Sequence, residues 1–437
     1  MHIKSDRGTL KMWMQKKYRA WWICLAIGAL GLGNLALRQK SGASGILGVA
    51  DEMVKEVVQL RGLKPNTSIR MGVKSRAEIS KYLNEYVSKN YSDDDLRREG
   101  DILRKIGLIP EAMDYRDFML KLLTEQVGGF YDPDEKTFYI AGWISADEQK
   151  PVMIHELTHA IQDQHFDLNR ILRDPKIEQN DDEGLARQAV IEGDGVAVMM
   201  NYLLAGVKRD FASLPNLAFI MRSMSSSTQA QLAIYSSAPL YLQEMLVFPY
   251  GYGAAFLQKL WNKTPSWEAV NKIYSDLPLS TEQIMHPEKY LDARDDPKPI
   301  DVQDPAKFLG ESWKATYTNV LGEFSLNIMM RLHLGEEQAN RAAEGWGGDR
   351  VVLLEDEQGK NGILISSVWD SSEEADEFFQ ASNDWLAKRH ADAIKTEETP
   401  DKWLFRKNGE LDALVRNGAQ IRLILGFPEA AGLKLIQ

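Results

Sequence analysis

The chain holds a single cysteine, Cys24, among 437 residues. No internal disulfide can form, so stability has to come from an apolar core, which a chain of this length can build. Basic charge is also in short supply, with 52 Lys and Arg against 63 Asp and Glu and a formal net of −11. Residues 1–40 carry eight of the basic residues and one of the acidic ones, so the rest of the chain stands at −18. A body of that sign is a poor partner for nucleic acid or an anionic bilayer. Internal repeats and long low-complexity segments are absent, and nothing in the pattern sets an oligomeric state.

Long apolar runs are scarce too. The one from Ala20 to Leu37 follows Lys4, Arg7, Lys11, Lys16, Lys17 and Arg19, and Arg38 and Lys40 close it. A basic flank before an apolar stretch is the layout of a secretory signal or an N-terminal anchor. The positive-inside rule then puts residues 1–19 in the cytoplasm and the bulk of the chain outside, secreted or anchored by residues 20–37. Cleavage and anchoring both stay open: Ser41-Gly42-Ala43-Ser44 offers small residues, and the run falls just short of the roughly 20 that span comfortably. Cys24 reads as an apolar filler of this run.

Histidine is rare as well, seven in all, yet three of them fall between residues 155 and 165. Residues 155–159 read His-Glu-Leu-Thr-His. On a helix His155 and His159 stand about 40° apart on one face. Two imidazoles so placed can grip one zinc ion at roughly 2.0–2.1 Å. Glu156 then points toward the open coordination position, where it can take a proton from water.

Two residues compete as third ligand. His165 needs a sharp chain reversal at Gln162, but Ala160-Ile161-Gln162-Asp163-Gln164 has no helix breaker. A continuing helix carries His165 roughly 240° around from His159. Glu192 lies instead in the apolar stretch 185–200, where a buried carboxylate is costly unless a cation or strong hydrogen bonds compensate. Metal ligation supplies that compensation, so Glu192 is the expected ligand. Asp194, two residues on, is either a supporting partner of a histidine or a ligand itself.

With His155-Glu156-Leu157-Thr158-His159 and Glu192-Gly193-Asp194 in view, the chain resembles the gluzincin, or thermolysin-like, branch of the zincin metallopeptidases over roughly residues 125–205. It looks closer still to uncharacterised exported bacterial zincin-like proteins that carry a later Ser-Thr-Glu-Gln-Ile-x-His-Pro segment, here residues 280–287. One departure from the thermolysin-like pattern is that Val196 stands four residues after Glu192, where those enzymes often set an acid. The resemblance implies a zinc-dependent peptidase acting on a peptide or protein. In such an enzyme Glu156 accepts the proton of the attacking water and passes it to the leaving amine. His286 or Tyr290 is the candidate donor to the oxyanion. Two other readings use the same residues: an extracytoplasmic binding or assembly protein on a zincin scaffold, and a zinc hydrolase of a non-peptide bond.

The expected class is α+β. Residues 41–300 should form a mainly helical zincin-like domain with a small antiparallel sheet, and 301–437 a smaller α/β domain of unassigned role. Helices are expected over 46–60, 76–88, 93–106 and 110–125, with a short strand near 68–73. Residues 128–141 predict a β-hairpin turning at Asp132–Glu135, a place where zinc peptidases present an edge strand to an extended peptide. Residues 229–262 predict a helix in two pieces, broken at 248–253, and 291–304 a domain linker. A helix is expected over 317–344, strands over 350–355, 362–369, 402–406 and 420–426, and a helix over 371–389. Asp181-Asp182-Glu183 reads as a solvated loop.

Overall fold

A computed structural model describes residues 24–27, 43–217, 219–221, 223, 232–302, 305–389 and 394–436. Most of the apolar run 20–37 therefore lies outside the described residues. The protein is α+β. Helix α1 (Ala43–Arg61) comes first, followed by strand β2 (Arg70–Lys74) and helices α2 (Arg76–Asn90), α3 (Asp93–Lys105) and α4 (Tyr115–Gln126). Ser75 starts α2 with a reciprocal capping box to Glu78, which satisfies two otherwise orphaned amides. Pro110 does not open the following helix; Asp114 caps it instead by accepting from the amide of Asp117.

Strands β3 (Val127–Asp132) and β4 (Thr137–Ala141) form the expected hairpin. With β2 and the described N-terminal piece β1 (Cys24–Ile27) they make a sheet ordered β1-β3-β4-β2. The sheet is mixed, because β2 runs parallel to β4. On the other side, Cys24–Ile27 pairs antiparallel with β3, placing Cys24 opposite Tyr131 and Leu25 opposite Phe130.

Behind the sheet lie α5 (Ala146–Phe166), α6 (Asp181–Leu204) and α7 (Leu240–Lys263). Helix α7 is continuous through Pro249 and Gly251, where a break was expected. Its path is fixed by close packing against α6: a Cβ on Gly253 would overlap the Ala189 carbonyl, and one on Gly193 would overlap the Gly253 backbone. Burial of both helices along this contact outweighs the hydrogen bond that Pro249 removes. Among the described residues, Asp181–Val207 is the one helical stretch long and apolar enough to cross a membrane. Its middle is fully buried between neighbouring helices and carries Glu192, so it is a core helix of this fold.

The C-terminal part is a seven-stranded sheet ordered β5-β6-β7-β11-β10-β9-β8, antiparallel at every pairing. Its strands are β5 (Trp313–Asn319), β6 (Trp346–Asp356), β7 (Asn361–Trp369), β8 (Ile394–Thr399), β9 (Lys402–Lys407), β10 (Glu410–Asn417) and β11 (Gln420–Pro428). Residues 313–319 are thus a strand, and the helix expected over 317–344 is two helices, Gly322–Leu334 and Glu336–Ala343. Alternation along β6 sorts its side chains by face. Val351 and Leu353 join the main core, whereas Val352 and Leu354 join a smaller cluster with Leu435 of the last helix, Glu429–Ile436. The main core crosses the expected domain boundary without a gap, running from Ile46 to Leu425. Residues 292–302 have no regular structure but are tied to both halves, through Gln283 to the Asp295 carbonyl and from the Lys298 amide to the Gly347 carbonyl.

Candidate metal centre

Ser145 and Glu148 form a capping box at the start of α5, and the helix then runs unbroken to Phe166. His155, Glu156 and His159 fall on its buried side. Helix α6 crosses it and brings Glu192, fully buried, against both imidazoles. His155 Nε2 and His159 Nε2 are 2.9 Å apart, and Glu192 Oε2 lies 3.0 and 3.2 Å from them. Tetrahedral ligation at roughly 2.0–2.1 Å sets ligands about 3.3 Å apart, so the three atoms need to open by only a few tenths of an ångström to hold zinc. Two imidazole nitrogens and a carboxylate are also the donor types that zinc takes. The other Glu192 oxygen is buried with no hydrogen-bond partner among the described residues. A buried polar atom of that kind calls for a ligand or a cation. The donor set fits zinc.

Each ligand has a reason to be where it is. His159 Nδ1 lies 2.8 Å from Gln162 Oε1, so the ring donates from Nδ1 and leaves the Nε2 lone pair facing the centre. Gln162 in turn donates to the Ile191 carbonyl at 3.2 Å, which ties α5 to α6 one residue before the glutamate ligand. Gly195 leaves room for the rings, since a Cβ there would fall 2.7 Å from His155 Cε1. Burial and the adjacent His159 lower the His155 pKa. Burial also works against a charge on His159, but the Glu192 carboxylate outweighs it and holds that ring up to about 9. Glu192 shows the reverse balance: burial raises it, and the two imidazoles outweigh burial and hold it down to about 2. The ionised carboxylate suits a dication, and metal binding would displace the proton that His159 holds beside it.

Glu156 is fully buried beside the trio, and its Oε2 accepts the backbone amide of Tyr131 in β3 at 2.7 Å. That bond fixes the candidate base against the hairpin. The Tyr131 hydroxyl donates to Asp163 at 2.7 Å, a second tie between β3 and α5.

Other sequence candidates sit elsewhere. The unbroken helix carries His165 to the surface, where its Nε2 lies 2.7 Å from the Lys64 carbonyl. Asp194 is neither a ligand nor a histidine's partner: α6 turns it to the opposite side, onto Arg61 at 2.7 and 3.0 Å and the Tyr274 hydroxyl at 2.9 Å. His286, the candidate oxyanion donor, faces Glu323. Pro287 ends its helix, and the ring lies 2.9 Å from buried Glu323, with no hydrogen bond to the trio among the described residues. Tyr290 donates instead to the Asp276 carbonyl. The aromatic ring beside the imidazoles is Tyr250, 5.8 Å from that of His155. Asp181-Asp182-Glu183 is the first turn of α6 and no solvated loop, since Asp182 is buried and accepts from the Thr281 amide at 3.1 Å.

Sequence reasoning missed Gln162, which it weighed only as an absent glycine, and Tyr250, which falls within the expected helix break at 248–253. A polar residue three positions beyond a ligand histidine, on a helix with no exposed face there, was the available signal for the first.

A family model described as a domain of unknown function (DUF8575) matches residues 311–437, which lie wholly outside the donor trio. No curated protein and no solved structure matches the chain.

Proposed function

We propose that the protein is an exported zinc-dependent peptidase in which His155, His159 and Glu192 hold the metal and Glu156 is the general base. The observation that carries this reading is the convergence of the three donor atoms within 2.9–3.2 Å, with Gln162 setting the His159 tautomer and Glu156 on the same helix. A purely structural site would have no use for Glu156.

Zinc held by His155, His159 and Glu192 would supply Lewis acidity, polarising a scissile carbonyl and acidifying a water proton. Glu156 accepts that proton at the carboxylate oxygen not held by the Tyr131 amide and delivers it to the departing amine. In this structure Cys24–Ile27 occupies the side of β3 away from β4 in antiparallel register, so an extended peptide would have to take its place to pair with β3. Tyr250, next to His155, takes the role of oxyanion donor first assigned to His286.

The test is metal removal. Dialysis of the full chain against a chelator should abolish cleavage of a quenched-peptide library, and stoichiometric zinc should restore it while magnesium does not. Cleavage that persists in the zinc-free protein would overturn the reading.

A further inference from the structure

Between the helical half and the C-terminal sheet lies a cavity of about 110 Å³. It is smaller than the roughly 300–1,000 Å³ of a drug-sized pocket and matches a single side chain. Most of its wall is apolar, with the rings of Tyr241, Tyr250 and Tyr317 among the aliphatic side chains. Its charged groups are all of one sign. Glu99, Asp181 and Asp182 line it, and no Lys, Arg or His does.

Several buried acids elsewhere face a protein cation: Asp194 meets Arg61, Glu282 meets Lys289, and Asp163 meets Lys136. Asp182 is satisfied by the amide and hydroxyl of Thr281. Glu99 accepts only from the Tyr115 hydroxyl, at 2.6 Å, and Asp181 is held only by Asn319. Neither has an ion pair among the described residues.

An independent observation marks the same cavity. Gln126, on its wall, is only 2% exposed, yet neither its amide oxygen nor its amide nitrogen has a hydrogen-bond partner among the described residues. Leaving such a group unpaired is costly, so a native core keeps one only for a reason.

We infer that this cavity is a subsite for an aliphatic chain ending in an ammonium or guanidinium group, and that it receives a lysine or arginine side chain of the peptide substrate. The aliphatic walls take the stem, the tyrosine faces favour the cation, and Glu99, Asp181 and the Gln126 carbonyl accept from its N–H groups. Burial together with Asp181 pushes Glu99 up to about 8, and burial pushes Asp181 up to about 6, the penalty that a bound cation would relieve.

The second half of the inference rests on the peptidase reading, through two links. Tyr250 is shared between the cavity wall and the surroundings of His155. Gln188, also on the wall, precedes Glu192 by one turn of α6. The C-terminal domain would then complete a binding site, since Tyr317, Asn319 and Val351 come from it.

The experiment has two arms on the full chain. In the first, n-pentylamine is titrated by calorimetry beside n-pentanol and pentanoate. The amine alone should bind, and Asp181→Asn and Gln126→Leu should each weaken it at least tenfold while zinc content stays at the wild-type level. In the second, quenched peptides differing at one position compare Lys, Arg, norleucine and Glu. The basic residues should be favoured at least tenfold in kcat/KM, and Asp181→Asn should erase the preference.

Amine binding without cleavage of any peptide would uphold the cation site and count against the peptidase. Cleavage indifferent to basic residues, with amine binding intact, would overturn the link between cavity and substrate. Equal binding of alcohol and amine, or amine binding unchanged in both variants, would overturn the site itself.

Discussion

Two places among the described residues bring three metal-competent side chains within 4.8 Å of one another, and they differ in what stands at the middle. At His155, His159 and Glu192 the three donor atoms face each other inside the core, with no protein cation between them. At Glu282, Asp295 and Asp370 the Lys289 ammonium sits in the cluster, 2.6, 3.1 and 2.9 Å from the three carboxylates. Donor proximity alone therefore does not make a metal centre. A lysine already neutralises the second cluster, and three carboxylates wrapped around an ammonium have no use for a dication. The first cluster has mixed nitrogen and oxygen donors, one ring oriented by Gln162, and a carboxylate oxygen without a partner.

The contrast can be broken or sharpened by substitution. The largest effect belongs to Glu192→Ala, which should abolish stoichiometric zinc binding measured by elemental analysis; Asp370→Ala should leave zinc unchanged. Next is Arg61→Met, which strands Asp194 in the core. Arg61 and Asp194 are 1% and 0% exposed, and breaking such a pair costs about 3–5 kcal/mol in denaturant unfolding. Lys289→Met should cost less, about 2 kcal/mol, because Lys289 keeps 21% of its exposure. Millimolar calcium or magnesium should return part of that loss, whereas the wild type should not respond. Gln162→Leu removes the His159 tether and should weaken zinc about tenfold, or roughly 1.4 kcal/mol, with little change in stability.

The last effect is one of pH in the zinc-loaded protein. Burial holds Asp182 up to about 8, against 3.8 ordinarily, so the folded chain keeps a proton there that the unfolded chain has lost. The folded state binds the extra proton between those two values, so stability should decline as pH rises through that window. The unfolding free energy at pH 5 should exceed that at pH 8, and Asp182→Asn should flatten the difference.

Sequence reasoning reached the donor trio for local reasons. The His155–His159 spacing depends only on helix periodicity, and Glu192 stands out because an acid in an apolar helix needs a partner. The hairpin at 127–141 was legible in the same way, from a turn between two apolar runs. What escaped notice depends on distant chain. Asp194 finds Arg61 133 residues away, and nothing beside Asp194 marks that partner. Helix α7 passes Pro249 because α6 packs on Gly253, a contact between separate elements. Strand β8, with the charged sequence IKTEET at the sheet's edge, lacks the alternation that identifies a half-buried strand. Asp181 and Asp182 looked solvated because a run of acids usually is, but distant chain covers them: Asn319 half-buries Asp181 and Thr281 meets the buried Asp182.

The central claim is that the trio holds zinc and that Glu156 works on it as a base. The most direct measurement is zinc stoichiometry and quenched-peptide cleavage for the wild type beside Glu156→Gln. One zinc per chain in both proteins, with cleavage at least a hundredfold lower in the variant, is the predicted result. Zinc absent from the wild type, or cleavage equal in the two, would contradict it.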